Sequence, residues 1–172
     1  MRRVTAFRFR IVLLALVVTF AATRAGAGSP EGDELAWKSF AAARTDAMES
    51  KRKVVVDVWT SWCGWCKKMD RDVYANAEVR AYLEAHFEIA KLDAESATKQ
   101  KIDDGEYSGR DIAKSMGVSS YPSTVFFTDT GEMITAVPGY MDARTFLRVL
   151  EYIHGEHYKN QSWNDFLSAK GK

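Results

Sequence analysis

The apolar positions of this chain change period several times, and each change marks a boundary between elements. A basic start, Met1-Arg2-Arg3 with Arg8 and Arg10, runs into an apolar stretch over 11–22. A Gly/Ser/Pro-bearing segment, 26–32, follows. Asp33 is placed to cap a helix over about 34–49, with Leu35, Phe40, Ala43, Ala47 and Met48 on a rough apolar face. Residues 53–60 are β-branched and almost wholly apolar, which predicts a strand buried on both faces. A helix opens at Cys63 and runs to about 74, with Lys67, Lys68, Asp70 and Arg71 on exposed faces. Asn76 caps the next helix, whose Val79, Leu83 and Phe87 face inward, and 88–93 reads as a second strand.

The stretch 94–108 is polar and without period, which predicts a long loop or an insertion with weak helix. Ser108-Gly109-Arg110-Asp111 is a capping box for a helix ending near Gly117. Strands are predicted over 123–128 and 133–137, joined by a turn at Asp129-Thr130-Gly131. Asp142 caps a helix to about His154, with Phe146, Leu150 and Ile153 on one face, and Ser162 to Asp165 opens a short last helix. There is no internal repeat and no second domain. The order predicts an α/β domain over 33–172, with strands that cross over through helices and then close as a hairpin.

Composition narrows the class. The chain has 172 residues, 47% hydrophobic and 27% charged, which is globular, and a formal net charge of +1 that argues against a nucleic-acid partner. The basic start, the apolar 11–22 and the small-x-small Ala25-Gly26-Ala27 have the grammar of a signal peptide over 1–27, cleaved after Ala27. The apolar run is short for a membrane span, and an uncleaved anchor is the alternative. Val4-Thr5-Ala6 after Arg2-Arg3 fits a twin-arginine signal poorly, so the general secretory route is expected. No cysteine follows the apolar run, which excludes a bacterial lipoprotein. The expected location is the periplasm.

The two cysteines of the chain, Cys63 and Cys66, stand as Trp62-Cys63-Gly64-Trp65-Cys66-Lys67, between a buried strand and a helix start. At a helix N-terminus, free backbone N–H groups and the helix dipole favour thiolate over thiol. A disulfide at this spacing closes almost no loop and would stabilise little. Zinc would need a second ligand pair, and haem attachment would need His in place of Lys67. The pattern therefore points to a redox dithiol that needs no further cofactor. His86, His154 and His157 show no ligand pattern and read as ordinary helix-end residues. Trp37, Trp59 and Trp163 read as packing residues.

Several segments together resemble the thioredoxin superfamily, over about 33–155. They are Val56-Asp57-Val58-Trp59 running into Cys63-Gly64-Trp65-Cys66, Ala90-Lys91-Leu92-Asp93, Gly117 through Tyr121-Pro122 to Thr124, and Gly131 and Gly139. The chain is most similar to exported bacterial thioredoxin-like reductases, including sulfur-oxidation-associated thioredoxins and the C-terminal domain of the transmembrane thiol reductant transporter. The resemblance implies a central mixed four-stranded sheet flanked by helices. It implies that Cys63 attacks a substrate disulfide and Cys66, the less exposed thiol, resolves the mixed disulfide. Asp57 would be the buried acid beneath the pair, with Lys91 tuning it. Tyr121-Pro122 would be a cis bond facing the disulfide, beside backbone that pairs with substrate, and Trp62 and Trp65 would give substrate an apolar landing surface. Three features depart from thioredoxin: Gly-Trp between the cysteines, the longer 94–108 segment, and the tail after Gly155.

The expected activity is therefore reduction of protein disulfides in exported proteins, with electrons from a thiol donor at the inner membrane. The alternatives are a disulfide oxidase or isomerase using the same pair, or a non-catalytic binding module using the tryptophan surface.

Overall fold

The computed structural model describes residues 34–171; the predicted signal peptide and Asp33 lie outside them. The central sheet has the order β2-β1-β5-β6, from β1 (Lys53–Trp59), β2 (Phe87–Asp93), β5 (Ser123–Phe127) and β6 (Met133–Pro138). β1 is parallel to β2 and antiparallel to β5, and β6 returns antiparallel on β5. This is the mixed sheet expected.

Alternation along β1 decides what each face holds. Val54, Val56 and Val58 pack with Phe40, Ala43 and Ala47 of α1 (Phe40–Ser50) and Ile112 of α4 (Gly109–Ser115). Val55 packs on the opposite side with Met69, Leu83, Phe146 and Leu150. Those residues belong to α2 (Gly64–Met69), α3 (Ala77–His86) and α5 (Ala143–His154). The strand is thus apolar on both faces because helices cover both. Asp57 shares the parity of Val55, so it faces the layer that contains α2.

Four expectations about elements need correction. The first helix starts at Phe40, not near residue 34, because Lys38 is already committed to the sheet. Its N–H donates to Ile89 O (3.1 Å) and its carbonyl accepts from Lys91 N–H (3.1 Å), so the chain arrives extended along β2. Ser39 is the cap, accepting from Ala42 N–H at 3.2 Å, and Met48 is exposed rather than on the buried face. The second difference is a hairpin inside 94–108: β3 (Lys99–Ile102) pairs antiparallel with β4 (Gly105–Ser108). The hairpin is mostly polar, so it carried no alternation to read.

The third difference follows α2. A π-helical turn, Asp70–Tyr74, carries the chain on to Asn76, which caps α3 as expected, accepting from Glu78 and Val79 N–H. The fourth concerns Asp70: its side chain stays partly exposed, but it is paired with Lys91 on β2 rather than free on a solvated face. Beyond α5, a 3-10 turn (His157–Lys159) leads to α6 (Trp163–Ala169), capped by Ser162. Tyr152 Oη–H donates to Gln161 O (2.6 Å), Trp163 meets the Tyr152 ring edge-on, and Phe166 is buried, so the tail is docked on α5. Among the described residues no helix is long and apolar enough to cross a membrane.

Candidate redox site

β1 ends at Trp59, and a tight turn brings Cys63 N–H to Thr60 O at 3.1 Å. Cys63 is the N-cap of α2, with extended backbone, and its Sγ accepts from Cys66 N–H at 3.0 Å. The two sulfurs are bonded, 2.11 Å apart, with Cα atoms 5.3 Å apart. The structure is therefore the oxidised form. Cys63 and Cys66 are 3% and 2% exposed, so exposure does not distinguish them, contrary to the sequence expectation. Their asymmetry lies in the hydrogen bond: only Cys63 Sγ receives a helix N–H, which favours negative charge on that sulfur.

The surface around the pair is aromatic. Trp62 is 64% and Trp65 58% exposed, far above what a core role would leave. Trp62 meets Tyr121 edge-on with centroids 5.8 Å apart, and Trp65 leans on Tyr140 at 5.4 Å. The Tyr121-Pro122 bond is cis, as the resemblance implied. Pro122 O accepts from Gly139 N–H at 2.8 Å, which ties the proline loop to the turn after β6. Gly139 has φ +89°, a conformation a side chain would strain. A Cβ at Gly64 would meet nothing within 4 Å, so the strip between the tryptophans is open to a partner.

Asp57 is 2% exposed and stands in register between Lys91 on β2 and Thr124 on β5. Its Oδ1 has no hydrogen-bond partner, nor do the buried hydroxyls of Thr60, Tyr74 and Thr124. Lys91 Nζ is 3.7 Å from its Oδ2. Burial raises the Asp57 carboxyl to about 7; Lys91 opposes the shift and the negative charge of Asp70 adds to it. Burial, reinforced by the charge of Asp57, also holds the Tyr74 phenol well above its ordinary value.

Lys91 is the hinge of this group. It forms an ion pair with Asp70 and lies over the rings of Trp37 (5.4 Å) and Trp59 (5.5 Å). Asp70, Tyr74, Trp37 and Lys91 line a cleft of about 160 Å³, which connects the charged group to the surface. Sequence reasoning missed Asp70, Tyr74 and Tyr140. A signal for Asp70 was available: Cys63, Cys66 and Asp70 fall at i, i+3 and i+7, on one helix face. Nothing local marks Tyr140. The histidines form no metal group among the described residues: His86 and His154 stack at 4.1 Å, and Tyr82 Oη lies 3.0 Å from His154 Nδ1.

A disulfide-bonded pair capping a helix that follows a central strand, with a cis Tyr121-Pro122 bond whose tyrosine meets Trp62, defines a thioredoxin-fold protein of the thiol-disulfide oxidoreductase kind. Residues 40–154 match the family described as the thioredoxin-like domain, and the chain belongs to that family. It is 32% identical over 105 residues to thiol:disulfide interchange protein DsbD of Ralstonia nicotianae. That match covers 60% of this chain but 16% of DsbD. It is 28% identical over 106 residues to a thioredoxin of Mycobacterium bovis, covering 62% of this chain and 78% of that protein. Among solved structures, a thioredoxin-fold protein from Helicobacter pylori superposes with a TM-score of 0.60 at 25% identity, covering 70% of this chain and 80% of that one.

Proposed function

We propose that this chain is a periplasmic reductase of protein disulfides. The observation that carries the reading is Asp57: a buried carboxyl near neutral pKa, on the sheet face that packs against the helix holding the dithiol. Such a group exchanges a proton at working pH, which resolution of a mixed disulfide requires.

In the proposed cycle the reduced Cys63 thiolate attacks one sulfur of a substrate disulfide. The substrate S–S bond breaks, and the leaving sulfur departs as thiolate and takes a proton. Cys66 then gives its thiol proton to Asp57, and its thiolate attacks the Cys63 sulfur. The second substrate sulfur leaves, and the chain is left with the Cys63–Cys66 disulfide. Two electrons have passed to the substrate. Lys91, with Asp70 and the cleft behind it, gives Asp57 a way to return its proton to solvent. Trp62, Trp65, Tyr121 and Pro122 form the substrate surface. A thiol donor at the inner membrane restores the dithiol, because the periplasm is kept oxidising. The leader motif over 1–27 supports export.

Insulin reduction with dithiothreitol as donor tests this. The protein is expected to accelerate precipitation of the insulin B chain, and Cys63→Ser to abolish the effect. No acceleration over dithiothreitol alone refutes the reading and leaves a binding module. The reduction potential separates reductase from oxidase: a value on the reducing side of about −200 mV supports the proposal, and one near the −120 mV of a strong oxidant refutes it.

A further inference from the structure

An apolar cavity of about 380 Å³ opens between β6, α5 and the tail. Its walls include Val137, Pro138, Tyr140, Met141, Tyr152 and Trp163. None of its lining residues is Asp, Glu, Lys, Arg or His. The size and lining suit an apolar occupant. Tyr140 belongs to two places at once: it lines the cavity, and its ring lies 5.4 Å from that of Trp65. The cavity is therefore continuous with the aromatic surface beside Cys63. Trp163 lies beyond the 40–154 stretch shared with the family. It is held against Tyr152 at 5.3 Å and stacked on Phe166 at 5.9 Å. The docked tail thus builds one wall of this cavity.

We propose that the cavity receives apolar side chains of the substrate polypeptide that adjoin the cysteine attacked by Cys63. Tyr140 and Trp163 then set a preference for disulfides with apolar flanks, as in an unfolded or partly folded chain. The inference rests on the reductase reading. A polypeptide is the occupant because the cavity shares Tyr140 with the exposed aromatic surface around the disulfide and lacks a charged group to hold a small polar ligand.

The test uses single turnover of the pre-reduced full chain with two disulfide peptides. One carries Leu, Phe and Val on both sides of its cysteines, and the other Ser and Gly. Burying one or two such side chains predicts a half-saturating concentration about tenfold lower for the apolar peptide. Trp163→Ser is expected to erase that tenfold advantage without moving the Ser/Gly peptide. Thr145→Glu puts a charge at the exposed rim, away from the core, and is expected to do the same; it covers the case in which the first variant misfolds. Equal half-saturation of the two peptides by the parent chain overturns the inference alone. Concentration-dependent self-association that buries Trp163 in sedimentation and fluorescence also overturns it, because a second copy is then the occupant. Reduction of neither peptide overturns the reductase reading and this inference with it.

Discussion

Asp57→Asn is expected to make the protein more stable and less active, and the structure sets both signs. The Asp57 carboxyl titrates near 7 in the fold, raised from an unfolded value of 3.8, because its charged form is buried. A raised carboxyl binds its proton more tightly folded than unfolded. Its effect on stability is therefore nil below the unfolded value, grows unfavourable as pH rises between the two, and is complete above about 7. The gap between them corresponds to about 4 kcal/mol of destabilisation at pH 8. Asn keeps the shape and carries no charge. Near pH 4 the variant and parent should match within about 1 kcal/mol, and near pH 8 the variant should be more stable by up to about 4. With a urea m-value of about 2 kcal/mol/M, that is a midpoint shift of about 2 M. The assay is urea unfolding of the oxidised protein, without thiol, across this range. The same variant loses the acceptor for the Cys66 proton, so release of mixed disulfide should slow by about 10²-fold or more while the first attack is spared. Parallel stability curves for the two proteins from pH 4 to 8 would refute the reasoning.

Lys91→Met removes the positive charge that opposes this shift, so the pH midpoints of stability loss and of mixed-disulfide release should both move above 7; unchanged midpoints would remove Lys91 from the site. Asp70→Asn removes a like charge and frees Lys91 for Asp57, so both midpoints should move down. Glu88 is a buried acid with the opposite sign. Burial pushes its carboxyl up, but Lys38, Ser50 and Arg52 outweigh that and hold it below the ordinary glutamate value. Its contribution is present above that ordinary value and lost as pH falls through the lowered one. Glu88→Gln should therefore cost about 2–3 kcal/mol at pH 7 by chemical denaturation, and the cost should shrink below about pH 4.

What could be read in advance followed from strong local signals. The apolar run 53–60 announced β1, and the caps at Asn76, Ser108, Asp142 and Ser162 announced α3, α4, α5 and α6. The Cys63–Cys66 pair and the cis-proline were legible because each has a motif with a mechanism. The start of α1 was not, because Lys38 is drawn into the sheet by Ile89 and Lys91, residues some fifty positions away. The β3–β4 hairpin was missed because Lys99, Lys101 and Glu106 give it no apolar face, and a strand is recognised in sequence by one. Asp70 looked like one more charge on a solvated helix; only the fold brings Lys91 to it. The groove beside Tyr140 joins β6 to a tail more than twenty residues later, a juxtaposition that periodicity does not encode.

The most direct test of the proposed chemistry is capture of the intermediate. Pre-reduced Cys66→Ser protein is mixed with oxidised insulin, quenched with acid and separated without thiol. The account predicts a covalent adduct, reversed by dithiothreitol, whose peptide map places the bond on Cys63. It predicts no adduct from Cys63→Ser. An adduct from Cys63→Ser alone would assign the attacking thiol to Cys66, and no adduct from either variant would contradict disulfide exchange by this chain.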